Sequence, residues 1–239
     1  MSLAEDPGRP SKPALIGRIL QARSRTVRHK LGLRFGLRTL KDVLPEDWSV
    51  PDSEVVQKAE KAARALCQDF IIEHSYRTYC FAALFAARDG LKIDREVVFI
   101  ASILHDLGLS DTHKDDEGSF EWVGARLAHI FCKDEGLAEE RAALVHNAIA
   151  LHSSLGIADK LTPEIAMVHF GAGTDLLGMR IDDVPPLDLS RILEAHPRDG
   201  FRTCFSACLI HQAETKPNSH IAGPVALGID GRIVDDLGD

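Results

Sequence analysis

The sequence predicts an all-α fold, a bundle of about seven to nine helices carrying a basic N-terminal extension. Three observations point there. From residue 52 onward, apolar side chains recur at spacings of three and four, the period of a helix buried on one face. Ala and Leu are abundant while aromatic residues make up only 6%, a composition that favours helix. No stretch shows the sustained alternation that a half-buried strand requires.

Taken in order, residues 1–13 contain Pro7, Gly8, Pro10 and Pro13 and read as a flexible lead-in. Leu15, Ile19 and Ala22 predict a basic helix from Ala14 to about Leu40, interrupted near Gly32 and Gly36. Residues 44–51 read as a loop. Asp52-Ser53-Glu54 signals a helix start, followed by Val55, Ala59, Ala62, Ala63, Leu66 and Phe70 on one face. Further helices are expected over 72–88, ending at Gly90, and over 94–107, ending at Gly108. Ser119 caps a helix reaching about Cys132, and Glu139 and Glu140 open one reaching about His152. Thr162-Pro163 starts another, which stops at Gly178. Helices over 188–196 and 199–214 follow, then an irregular tail with Pro217, Gly223, Pro224, Gly228 and Gly231. The chain thus divides into a basic extension and linker (1–50), a helical domain (51–217) and a C-terminal tail (218–239).

The net charge of −8 conceals an asymmetry. Residues 1–42 carry Arg9, Lys12, Arg18, Arg23, Arg25, Arg28, Lys30, Arg34, Arg38 and Lys41 against Glu5, Asp6 and Asp42. That segment is therefore +7, and the remainder about −15 by difference. An acidic body excludes a general nucleic-acid binder, which needs clustered cations for phosphate contacts. The arm has two readings: it contacts an anionic surface or partner, or it folds back on its own acidic domain. The five cysteines (Cys67, Cys80, Cys132, Cys204, Cys208) form no C-x-x-C pair, so neither a disulfide framework nor a zinc ribbon is expected. No apolar run approaches the roughly 18 residues that span a bilayer, and the N-terminus lacks a signal core. A cytoplasmic location with reduced thiols is the expectation.

The chemistry centres on His105-Asp106, delivered by an apolar helix that Gly108 then ends. The negative end of a helix dipole favours a bound cation at that position. Adjacent helical residues point about 100° apart, so the two side chains approach one ion together only near the helix end. His74 lies on the preceding helix, and Asp175 lies in the apolar stretch 169–177. A carboxylate among apolar neighbours is costly unless it is paired or coordinates a cation. Two imidazoles and two carboxylates suit Zn, Fe, Mn, Co or Ni.

The order His74, His105-Asp106, Asp175 on successive helices resembles the HD superfamily, whose members hold divalent metal with such a quartet and mostly hydrolyse phosphoesters. The flanking words look most like its cyanamide-hydratase-like branch. They are His74-Ser-x-Arg77-x-Tyr79, Leu104-His-Asp-Leu-Gly108, Phe120-Glu-x-x-Gly-Ala125, Ala148-Ile-x-Leu-His152, Thr174-Asp-Leu-Leu-Gly178 and Pro197-Arg-x-Gly-Phe201. The resemblance covers about residues 52–217 and implies that His74, His105, Asp106 and Asp175 are metal ligands. It also implies that His152 lies close to the metal, although Ser153 follows where the branch usually has Gln. His146 and His152 are the candidates for a second metal, but six residues place them about 240° apart on a helix, so one ion per chain is expected.

A divalent ion lowers the pKa of water and polarises an electrophile. Asp106 would hold that water, with His152 or Glu121 as the proton-transfer group. Glu121 reads equally as a solvated acid at a helix start. Arg77 either binds an anionic substrate group or pairs with Glu73. The charged run with Asp111, His113, Asp115 and Asp116 reads as a solvated lid. The function expected is therefore a metal-dependent hydrolase of a small-molecule substrate, in first place a phosphoester. Hydration of a nitrile is the alternative, and a non-catalytic, metal-stabilised regulatory module the third. Homo-oligomerisation stays open.

Overall fold

The computed structural model describes residues 2–37 and 39–237; Arg38, one cation of the basic arm, lies outside them. Among the described residues the chain is all-α, with nine helices of ten residues or more and two single turns. They are α1 (Lys12–Arg34), α2 (Pro45–Trp48), α3 (Glu54–Leu66), α4 (Asp69–Asp89), α5 (Arg95–Leu104) and α6 (Phe120–Asp134). The rest are α7 (Glu139–Leu151), α8 (Pro163–Leu177), α9 (Pro186–Ala195), α10 (Phe201–Thr215) and α11 (Ala222–Val225).

Local signals set most of these limits. Asp94 accepts the Val97 backbone N–H and starts α5; Ser119 does the same for Trp122 at α6. Gly90 and Gly178 adopt φ near +68° and end α4 and α8. The expected loop at 44–51 contains the one-turn α2. There Pro45 opens the turn and the Asp47 carboxylate accepts the Leu44 N–H.

The centre of the bundle is α5, whose residues 97–104 are all buried. It packs against α3, α4, α7 and α8, and α4 lies along α8. Phe81 and Phe85 of α4 and Phe99 of α5 are each fully buried in the main core, and Phe99 meets Tyr76 and Tyr79 of α4 edge-on. Burial of this order contributes about 1.5–3 kcal/mol per large apolar side chain. A second apolar cluster lies at the other end of α4 and joins Ile71, Leu109, Phe120, Phe201, Phe205, Leu209, Ile221 and Ile233.

Both termini are tied to this framework. The Ala4 N–H donates to the Asn147 side chain at 2.7 Å, and the Ser119 N–H donates to Asp6 at 2.9 Å. The Arg9 N–H reaches the Asn218 carbonyl at 2.8 Å. The segment expected as a flexible lead-in is thus a strap across the start of α6. The tail expected as irregular places Ile221 and Ile233 in the second cluster, around α11 and a short turn at Asp230–Arg232.

Candidate metal centre

His105 and His152 occupy matching positions, each the residue that caps the C-terminal end of a buried helix (α5 and α7). Each ring donates its Nδ1–H to a carbonyl one turn back, His105 to Ser102 and His152 to Ile149, both at 2.7 Å. A carbonyl can only accept, so it fixes Nδ1 as the protonated nitrogen and leaves Nε2 with a lone pair. His74, on α4, has its Nδ1 2.6 Å from Asp175 Oδ2, which fixes the same tautomer. All three Nε2 atoms then turn toward one carboxylate, Asp106. They lie 3.1 Å (His105) and 3.7 Å (His74) from its Oδ2, and 3.8 Å (His152) from its Oδ1.

The donor set fits a divalent cation. His105 Nε2 and both Asp106 oxygens are buried without a hydrogen-bond partner. An arrangement of orphaned lone pairs is costly unless something electropositive sits among them. The ligand atoms of His74, His105 and Asp106 lie within 4.8 Å of one another, and all three residues are buried. Two imidazole nitrogens and a carboxylate oxygen match the borderline metals named from the sequence.

Electrostatics follow from this crowding. Burial pushes His152 down to about 3, reinforced by the neighbouring His105. His74 also moves down through burial, against the opposing pull of Asp175. For His105, burial works downward but the Asp106 carboxylate outweighs it and the ring moves up. Burial works upward on Asp106, yet His105, His74 and His152 hold its carboxyl well below the usual range.

Asp175 occupies a different place from the other three. Its Oδ2 accepts from His74 and from Arg77 Nη2 at 2.9 Å; its Oδ1 accepts from Arg77 Nε at 2.8 Å and from Arg198. Both oxygens are engaged, so direct coordination by Asp175 requires exchange of one of these partners. Its carboxyl lies far below the ordinary range: burial works upward, and Arg77 and His74 outweigh it.

Arg77 does not pair with Glu73 in the structure. The guanidinium is fully buried, bonded to Asp175 and to the carbonyls of His196 and Pro197. Glu73 pairs instead with His196 at 2.8 Å. Glu121, expected equally as a solvated acid, is fully buried; its Oε1 accepts from Ser153 Oγ at 2.6 Å, and its Oε2 has no partner. Burial raises its pKa, against the opposing effect of His220. Glu121 therefore meets the residue next to His152, with no hydrogen bond to His74, His105 or Asp106 among the described residues. His146 faces His129 and Asn147, away from His152.

Several site residues carried no assigned role in the sequence. Phe201 stacks on His74 with centroids 5.1 Å apart, and Phe205 meets the same ring edge-on at 5.0 Å. Phe120 packs on His152 at 5.7 Å. Arg198 and Arg77 both lie over the Phe201 ring. The available signal was the word Pro197-Arg-x-Gly-Phe201 and the Phe201/Phe205 spacing of one turn. The loop at 110–118 closes over this side. Gln68 donates to Asp111 at 2.8 Å, Gln212 donates to the Lys114 carbonyl at 2.6 Å, and His211 lies 2.9 Å from Asp115. A depression of about 180 Å³ remains outside it, lined by Gln68, Leu109, Lys114, Cys208 and His211 among others. Burial, and then the Asp106 carboxylate, push the Cys208 thiol up to about 11.

Comparison with known proteins places the chain in a family. The HD domain matches residues 71–201, more than half of the chain. Cyanamide hydratases DDI2 and DDI3 of Saccharomyces cerevisiae are each 24% identical over 177 residues, 71% of this chain and 77% of theirs. An uncharacterized protein of Methanocaldococcus jannaschii is 33% identical over 85 residues, 34% of this chain and 48% of its own. The chain belongs to the HD domain family of metal-dependent hydrolases.

Proposed function

We propose that the protein is a metal-dependent hydratase that adds water to the nitrile carbon of a small neutral substrate of the cyanamide class. The observation that carries this reading is the fate of the two arginines beside the centre. Arg77 and Arg198 both bind Asp175, and their remaining contacts run to backbone carbonyls, which leaves only the buried Arg198 Nε without a partner. A phosphoester needs uncommitted cations around its oxygens. Lys114, at the outer depression, is itself paired with Asp111. The phosphoester reading therefore ranks behind the nitrile one. The similarity to cyanamide hydratases supports the same choice.

In this reading residues 51–217 form the catalytic domain, and His74, His105 and Asp106 hold one divalent ion (Zn, Fe, Mn, Co or Ni). When bound, such an ion supplies Lewis acidity toward water and the electrophile. Asp175 sets which nitrogen His74 turns inward, as outer carboxylates of metal-binding histidines do. His152 Nε2, neutral at physiological pH, accepts the proton that water gives up and returns it to the nitrile nitrogen. Glu121 holds Ser153 and thereby fixes the end of α7 on which His152 sits. Phe120, Phe201 and Phe205 pack against the His74 and His152 rings and shield them from bulk water.

The test is a substrate panel on metal-loaded protein: cyanamide, bulkier nitriles and phosphodiesters. Cyanamide should be converted to urea and bulkier nitriles left unchanged. His152→Gln should retain the metal and lose about 10²–10⁴ in turnover. Hydrolysis of a phosphodiester with cyanamide untouched would overturn the assignment.

A further inference from the structure

Helix α1 is mounted inside out. A surface helix ordinarily buries its apolar stripe and shows its polar face to water. Here the inward face is polar apart from Leu15: Arg25 pairs with Asp159, Lys30 with Asp182, and His29 Nε2 lies 2.9 Å from Asp183. Lys160 reaches back to Gln21 at 3.1 Å. A cavity of about 670 Å³ separates the helix from the body, and only Leu15 and Gly32 of α1 are buried.

The outward face carries Ile16, Leu20, Val27 and Leu31, continued by Phe35 at the cap, with 47, 61, 55, 45 and 68% exposure. At about 100° per residue these five fall on an arc of roughly 100°. Arg23, Arg28 and Arg34 are also exposed, lie within or beside that arc, and make no ion pair among the described residues. The helix holds seven Lys and Arg and no Asp or Glu.

We infer that α1 is a surface anchor that lays this stripe on an anionic lipid bilayer. A convex apolar ridge edged by cations suits a membrane interface, where the side chains enter the acyl boundary and the guanidiniums meet headgroup phosphates. Pairing of two copies through the same stripe would oppose Arg23, Arg28 and Arg34 of one chain to those of the other. No helix is long and apolar enough to cross a membrane, so α1 lies along the surface. The inward contacts, polar apart from the buried Leu15, orient the helix without using the stripe.

The test is flotation of the full-length protein with vesicles of pure phosphatidylcholine, and of phosphatidylcholine with one-third phosphatidylglycerol. Binding is expected to the anionic vesicles alone, and to weaken as salt shortens the screening length. The double variant Leu20→Glu/Leu31→Glu should lose more than about tenfold in partitioning while its metal content is unchanged. Arg23→Gln/Arg28→Gln/Arg34→Gln should lose about fivefold for each cation removed. All five side chains are exposed and none makes an inward ion pair, although Arg28 also borders the cavity under the helix. Failure to bind anionic vesicles, equal binding to both kinds, or unchanged partitioning of both variants would overturn the proposal. A wild-type dimer that Leu20→Glu/Leu31→Glu converts to monomer, without vesicle binding, would assign the stripe to a second copy instead.

Discussion

At the scale of single residues, the centre is built by what holds each imidazole from behind. Ser102 and Ile149 offer carbonyls to His105 and His152, and Asp175 offers a carboxylate to His74. The result is three inward lone pairs around one carboxylate. Asp175 is the member whose role the geometry refines most, because two arginines and His74 occupy it. Asp175→Asn should therefore weaken metal binding about 10–100-fold without abolishing it, as loss of an outer partner does. A titration showing complete loss would make Asp175 a direct ligand. The sequence made His105-Asp106 legible because an apolar helix ends on them, and His74 and His152 through their flanking words. Arg77 was not legible: its partner is 98 residues away, and local spacing offered only Glu73.

At the scale of elements, the site depends on how closely α4 and α8 approach. A Cβ at Gly171 would sit 2.1 Å from the Thr78 carbonyl oxygen, so glycine permits this contact. One turn onward from Gly171 is Asp175, and one turn back from Thr78 is His74. Gly108 plays a similar part after the His-Asp pair, where a Cβ would meet the Phe120 carbonyl at 2.2 Å. Gly171→Ala should push α8 outward, costing about 1–3 kcal/mol of stability and weakening metal binding as Asp175 leaves His74. Gly17→Ala, where a Cβ meets nothing within 4 Å, is the matched control. Equal melting temperatures and metal affinities for both variants would contradict this account. Helix periods and caps were readable because they are local. The strap formed by residues 2–10 was not, since its partners Asn147, Ser119 and Asn218 are remote in sequence.

At the scale of the whole molecule, a buried centre couples fold, metal and pH. His152, at about 3, and His74 and His169, both lowered by burial, bind protons less readily in the folded chain than in the unfolded one. Below an unfolded value of about 6.5, the unfolded state takes up protons first. Stability of the metal-free protein is therefore full above that pH and falls as pH drops, by up to about 1.4 kcal/mol per pH unit for each such histidine. The raised His105 acts in the opposite sense and offsets part of the loss. Melting temperatures of the metal-free chain should decline steadily from pH 7 to pH 5, and a flat profile would contradict the buried neutral state. The most direct test of the central claim is elemental analysis of the purified chain beside Asp106→Ala. One divalent ion per wild-type chain and none in the variant is expected, with the helical spectrum retained in both. Equal metal content in the two proteins would contradict it.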